Sequence, residues 1–352
     1  MKRFLAMATV FALVPFFLLA CSDDDDDGTS TTTTTREQTQ ANEASDGTTS
    51  TTSTSTSTTS SATSSSTTSV PSTSTVTDDL NREVEVPAIA ERVVALSPTV
   101  VELVYAVGAE PVGRPESAEY PPEAASVPSF GSSYTPNFEE IVAMEPDLII
   151  ADAIIHAAVI AQLEALGAPV YAVKVDSFET VVAGLRTVGV LTGNTAAGED
   201  AAAELEAMLG EVEAELPAEG PTVLVVVAAG ENQFIAARAN SYLGSLIEEL
   251  GGTNIVQSEP ENFRFPGFAD YSLEKIVQAD PDIIIGISVG GPPGTPRTTE
   301  ILGFTPVWSG LTAVKEGRVY EVDPAIYLQS AGPRVSVILD ELPGILYPDV
   351  FN

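Results

Sequence analysis

The segment NFEEIVAMEPDLIIA at 137–151 returns 135 positions later as SLEKIVQADPDIIIG at 272–286, with seven of the fifteen positions identical. Each copy has the pattern of a helix, a Pro-Asp break and an apolar run of strand length. Strands that read as unbroken apolar runs are buried on both faces, which is the habit of parallel sheets covered by helices. One helix-then-strand unit used at two distant places therefore predicts two lobes. The expected fold is α/β, with two lobes, each a mainly parallel sheet flanked by helices, joined by one long interlobe helix. A ligand of such a protein belongs in the cleft between the lobes.

The amino-terminal end is of another kind. Lys2 and Arg3 precede a long apolar stretch that closes at Leu18-Leu19-Ala20-Cys21, the pattern of an export signal over 1–20. The site resembles a lipobox, which implies cleavage before Cys21 and a lipid on its thiol. Cys21 is the only cysteine in the chain, so no disulfide framework supports the fold. Residues 21–77 hold an Asp23–Asp27 run followed by Ser and Thr with almost no large apolar residue. Such a segment buries too little surface to offset chain entropy, and a disordered stalk is expected.

From Asp78 onward the chain holds 42 of the 50 acidic residues and 12 of the 15 basic ones, a net charge of −30. Phosphate backbones and anionic lipid surfaces are repelled by most of such a surface, so nucleic-acid binding is excluded. The N-terminal lobe is expected over 78–193, with a strand at Arg92–Leu96, a helix capped at Ser97-Pro98, a short strand around Pro111–Gly113, and strands at Leu148–Ala151 and Val170–Val173. A linking helix is expected over 194–216, about 30 Å long at 1.5 Å per residue, and Pro217 ends it. The C-terminal lobe then runs over 217–352, with strands at 222–229 and 318–322 and helices at 242–250 and after Pro333.

These segments resemble the substrate-binding lipoproteins of iron-siderophore and cobalamin ABC importers, the class III periplasmic-binding-protein fold. The likeness is carried by RVVALSPTVVELVYAVGA at 92–109, YPPEA at 120–124, PNFEEIVAMEPDLIIA at 136–151, LGAPV at 166–170, SYLGSLIEELGGTNI at 241–255, the second repeat copy, and GRVYEVD at 317–323. It implies a receptor that is lipid-anchored on the outer face of the cell membrane, captures a metal chelate as cargo rather than cofactor, and docks as a monomer on a permease with its ATPase subunits. It also implies docking by one glutamate per lobe, Glu139 in NFEEI and Glu274 in SLEKI. Closure on binding is expected to be a few degrees. A ferric siderophore is the leading ligand, with cobalamin or haem as the alternative.

Beyond the carboxyl ends of the strands lie Ser97, Arg114 with Glu116, Asp152 with His156, Glu231 to Gln233, and Ser288. Nearby loops add Tyr120, Tyr134, Arg238, Tyr242, Phe263, Arg264, Phe265, Tyr327 and Arg334. The ligand set expected from these is Ser97, Arg114, Tyr134, Asp152, Arg238, Tyr242, Phe263, Arg264 and Tyr327, the arginines for anionic groups of a chelate. A bare transition-metal site needs several imidazoles, and His156 is the one histidine. His156 could serve as an axial haem ligand, or simply cap the helix it starts. Gly286-Ile-Ser288-Val-Gly290 fits a nucleophile elbow, but no histidine follows the serine and Gly290–Gly294 cannot continue as a helix. No enzyme is expected; a surface hydrolase at Ser288 or an adhesion module are the remaining alternatives.

Overall fold

The computed structural model describes residues 73–230, 233–289, 297–303, 306–328 and 332–351. Residues 1–20, Cys21, most of the expected stalk, and Glu231 lie outside the described residues.

The described chain begins with an antiparallel hairpin, β1 (Thr73–Thr77) and β2 (Glu83–Pro87), in which Thr73 faces Pro87 and Thr77 faces Glu83. The expected stalk is therefore too long by these five residues. Thr and Val suit a pleated strand, and Val84 and Val86 of β2 are buried in the lobe behind them. At the turn, the Asp78 carboxylate accepts from the Leu80, Arg82 and Ala172 amides and from the Arg82 guanidinium.

The N-terminal lobe continues with β3 (Val93–Ala95), α1 (Pro98–Ala106), α2 (Phe138–Ala143), β4 (Leu148–Asp152), α3 (Ile160–Glu164) and β5 (Val170–Val173). The strands pair in parallel in the order β3-β4-β5, and every residue in them is buried. The strand expected around Pro111 is reduced to a single bridge between Gly113 and Val94, because proline has no amide to donate to a ladder.

Next come α4 (Phe178–Leu191) and α5 (Thr195–Glu213), the second being the expected linking helix. Gly189 and Gly198 let the two helices touch: a β-carbon on Gly198 would stand 2.7 Å from the Leu185 carbonyl oxygen. Arg186 of α4 reaches Glu199 and Glu206 of α5 on the exposed side.

The C-terminal lobe comprises β6 (Thr222–Gly230), β7 (Gln233–Ala237), α6 (Tyr242–Glu249), β8 (Thr253–Asn254), β9 (Phe268–Asp270), α7 (Leu273–Ala279), β10 (Ile283–Ile287), α8 (Thr298–Gly303), α9 (Thr312–Lys315), β11 (Val319–Val322), α10 (Pro324–Tyr327), α11 (Val335–Leu346) and α12 (Pro348–Phe351). Its sheet runs β11-β10-β6-β7-β9, with β8 beside the start of β6. Pairings to β10 and β8 are parallel, whereas β7 and β9 are antiparallel and close one edge. The lobe is thus mixed at that edge rather than parallel throughout.

The repeat explains itself in the fold. Asp147 accepts from the Glu91 and Arg92 amides at 2.8 and 2.9 Å, and its own amide donates to the Arg92 carbonyl. Asp282 does the same for Thr222, accepting from its amide and hydroxyl, both at 2.8 Å, and donating to its carbonyl. In each lobe the Pro-Asp break ties the start of the repeated strand to the start of its parallel neighbour. Four charge-assisted bonds, two in each lobe, fix register where a one-residue slip would turn every side chain over.

One apolar core runs through both lobes. It joins Leu103 of α1, Leu185 of α4, Leu205 and Leu209 of α5, Leu246 of α6 and Ile338 of α11. Helix α5 lays its one buried face, Gly198, Ala202, Leu205 and Leu209, along this cluster, which makes the connection between lobes a stiff one.

Candidate functional site

Helix α1 starts at Ser97, whose hydroxyl accepts from the Val100 amide, with Pro98 in the first turn. Its residues Thr99–Val104 are all buried, and Glu102 is the one charge among them. A carboxylate in that place needs a partner. It finds Arg334 of the other lobe, at the start of α11: Nε lies 3.0 Å from both oxygens and Nη2 lies 2.6 Å from Oε1. The Glu102 side chain is 2% exposed and that of Arg334 is 17% exposed. Nη2 also donates to the Ala325 carbonyl at 2.9 Å, and the Tyr120 ring of the N-terminal lobe covers the guanidinium with its centroid 4.6 Å from Cζ. Removing one member of such a buried pair costs about 3–5 kcal/mol, because the other is left unpaired.

Two tyrosines of the C-terminal lobe adjoin this pair. Burial raises the Tyr242 pKa, the Glu102 carboxylate raises it further, and Arg334 opposes them. The Tyr242 hydroxyl is buried with no hydrogen-bond partner among the described residues. Tyr327 is 2% exposed, and its hydroxyl donates to Glu341 at 3.0 Å. Of the expected ligand residues, Tyr242 is thus brought beside Glu102 and Arg334, whereas Tyr327 lies behind it in the core. Glu102 was missed, although it is the only charge in an otherwise apolar helix, which is a signal.

The other expected residues are placed differently. Ser97 is fully buried and serves as a helix cap, so it offers nothing to a ligand. Arg114 donates to the carbonyls of Pro115, Glu116 and Ala125, which leaves its Nε buried and unpaired. Asp152 accepts from the Ile154 and Ile155 amides and is buried, a turn-building role. Tyr134 is 77% exposed. Arg238 has a buried, unpaired Nε and no side-chain acceptor among the described residues. In the NFRFPGF loop, Asn262 accepts from the Arg264 amide, Arg264 lies over the Phe263 ring, and Phe263 is 87% exposed. Trp308 is buried in the core layer that faces away from α6, edge-on to Phe234.

His156 is neither a haem ligand nor a side-chain helix cap. Its Nδ1 accepts from the Asp152 amide at 3.0 Å, and its Nε2 donates to the Ser133 carbonyl at 2.9 Å. Both ring nitrogens are in use and the residue is 1% exposed, so no lone pair is left for iron. Burial holds its pKa below 6.5, outweighing the upward pull of Ser133 and Asp152. Above pH 6.5 the ring is neutral folded and unfolded alike. Below it, the unfolded chain takes up a proton that the folded chain refuses, so stability falls as pH falls. The urea midpoint is expected to drop between pH 7 and pH 5.5, and His156→Gln, while less stable overall, should lose this part of the slope. An equal slope in both proteins would assign it to other groups.

The G-x-S-x-G match has a structural use. The Ser288 hydroxyl donates to the Glu321 carboxylate and accepts from the Thr298 amide at 2.8 Å, while Glu321 accepts from the Thr299 amide at 3.0 Å. Together they tie down the start of α8. Among the described residues, no three His, Cys, Asp or Glu side chains are grouped as ligands of a metal ion.

Two lobes, one around a parallel and one around a mixed sheet, a helical connection and an aromatic, ion-paired junction between the lobes are the build of a solute-binding protein. Residues 93–326 match the family model described as periplasmic binding protein, and the chain belongs to that family. The Fe(3+)-citrate-binding protein of Bacillus subtilis (strain 168) is 27% identical over 275 residues, covering 74% of this chain and 82% of that one. The vitamin B12-binding protein of Salmonella choleraesuis (strain SC-B67) is 29% identical over 259 residues, covering 72% and 89%. Among solved structures, an ABC transporter substrate-binding protein from Listeria monocytogenes EGD-e superposes with a TM-score of 0.64 at 21% identity, covering 73% of this chain and 99% of that one. The protein is a substrate-binding protein of the ABC-importer class, and its family binds solutes rather than transforming them.

Proposed function

We propose that the protein captures a ferric chelate of the siderophore class, ferric citrate included, between its lobes and hands it to a membrane permease. The observation that carries this reading is the meeting of Tyr120 and Arg334 at the lobe junction, with Tyr242 beside them. Aromatic rings and a guanidinium suit the flat, oxygen-rich surface of such a chelate, and the Fe(3+)-citrate-binding relative supports iron as the metal. The vitamin B12-binding relative supports a second reading, cobalamin as cargo, to which the same rings would offer apolar contact.

Delivery is proposed to use Glu139 and Glu274, which the repeat makes equivalent, one on each lobe. Both are exposed in the first turn of their helices, where the Asn137 side chain caps the first and the Ser272 side chain caps the second. The Glu274 carboxyl is held below its usual range by its own amide and the Ser272 hydroxyl, so it stays charged. Cys21 is proposed as the lipidated residue that holds the protein outside the cell membrane.

Calorimetric titration of the purified protein with ferric citrate, a ferric catecholate, a ferric hydroxamate, haemin and cyanocobalamin tests the reading. Saturable binding of a ferric chelate at sub-micromolar concentration is the expected result. Binding of cyanocobalamin alone would select the second reading, and binding of none would overturn both. Calorimetry is the better readout here, since Trp308 lies in the core layer away from the junction.

A further inference from the structure

The two copies of the repeated helix differ where they face solvent. Lined up by the repeat, Glu139 matches Glu274 and Val142 matches Val277, but Glu140 matches Lys275. All six residues are exposed, the two valines by 48% and 42%, one turn beyond the shared glutamates. Glu140 and Lys275 both take the third position of their helices, after the caps Asn137 and Ser272. A carboxylate suits that position, whereas a cation there opposes the helix dipole, so the fold by itself favours glutamate in both copies. Lys275 is nevertheless steadied in place. Its Nζ lies 2.7 Å from a Glu259 carboxylate oxygen and 5.7 Å from the centroid of the Tyr271 ring. The first turn of α2 thus presents two acids and no base, and that of α7 presents an acid beside a held base.

We propose that the two lobes meet unlike halves of the permease, so that the receptor docks in only one of the two orientations that equivalent lobes would allow. The inference rests on the docking reading given above and names the chemistry of the partner. The N-terminal lobe fits a half that presents two basic side chains. The C-terminal lobe fits a half that presents one basic side chain, for Glu274, and an acidic or uncharged group opposite Lys275. Turned around, Lys275 would stand against a base and Glu140 would lose one, and that repulsion removes the wrong orientation. Val142 and Val277 give both faces the same apolar contact, so the charges carry the distinction.

The test uses the full chain in its own cells, with photoreactive p-benzoylphenylalanine in place of Val142 or Val277, and maps the crosslinked membrane protein by its peptides. Crosslinks from the two positions are expected on different sequences, two permease subunits or two halves of one chain, with the matched pairing favoured by about tenfold or more. Glu140→Lys with Lys275→Glu exchanges the two faces, and the two sets of crosslinks should trade places. Because Lys275→Glu sets a second acid beside Glu259, a milder pair accompanies it: Glu140→Gln with Lys275→Gln levels the faces and should bring the preference close to one to one, with cooperative melting retained. Crosslinks from both positions to the same peptides in the wild type, or a pattern that neither pair of substitutions alters, would overturn the inference and leave docking by Glu139 and Glu274 intact. Crosslinks to no transporter component from either position would overturn the docking reading and the inference with it.

Discussion

Reversing the charge at Glu139 and Glu274 together, as Glu139→Lys with Glu274→Lys, is expected to abolish import in cells while ligand affinity and melting temperature stay within error of the wild type. Both side chains are exposed and neither takes part in a salt bridge among the described residues. The fold therefore has little to lose: placing a cation in the first turn of a helix forfeits about 0.3–1 kcal/mol per site. A like-charge encounter with a basic partner surface costs several kcal/mol for each pair, enough to remove a docked state. Each single reversal should leave partial import, if docking is shared between the lobes as proposed. Uptake of labelled ligand measures the effect; full import by the double variant would place docking elsewhere.

Gly198→Val is expected to be the most damaging single change in the linking helix. A β-carbon at that position would lie 2.7 Å from the Leu185 carbonyl oxygen and 3.1 Å from the Gly189 α-carbon, both backbone atoms that cannot rotate aside. Helices α4 and α5 must then separate, and α5 carries the core that both lobes share. A loss of about 3 kcal/mol or more is expected from overpacking together with the contacts that separation breaks. Gly210 in the same helix has nothing within 4 Å of its β-carbon position, so Gly210→Ala should instead stabilise by about 0.5–1 kcal/mol. Urea unfolding of the two variants side by side gives the comparison. Equal midpoints would show that the helix crossing is looser than its geometry implies.

The two-lobe plan was legible because the repeated unit is local: cap, helix, Pro-Asp break and buried strand all lie within fifteen residues. The antiparallel edge of the C-terminal sheet was not, since Phe234–Ala237 and Phe268–Asp270 are short and their pairing spans a loop and a helix. Much the same contrast governs the site. Ser97 and Asp152 sit at strand ends as a ligand residue would, but so does any residue that starts a helix or a turn, and the backbone claimed both first. His156 lost its expected roles for the same reason. Arg334 and Glu102 stand 232 positions apart, and no local pattern links a charge inside one apolar helix to a charge at the start of another. What could be read was the anomaly of Glu102 itself, a lone acid in PTVVELVYA.

The hairpin at the start of the described chain has a mechanical meaning. Strand β1 is exposed along almost its whole length, while β2 is rooted by Val84 and Val86. A pull from the amino-terminal side loads the ladder one pair at a time, from Thr73 against Pro87 toward Thr77 against Glu83. It then meets Asp78, whose buried carboxylate is bound by the Arg82 guanidinium and by the Ala172 amide of the sheet. Peeling stops there, releasing five residues, or roughly 17 Å of slack at about 3.4 Å each. Under such a pull the hairpin is expected to open before the lobe in which β2 is rooted.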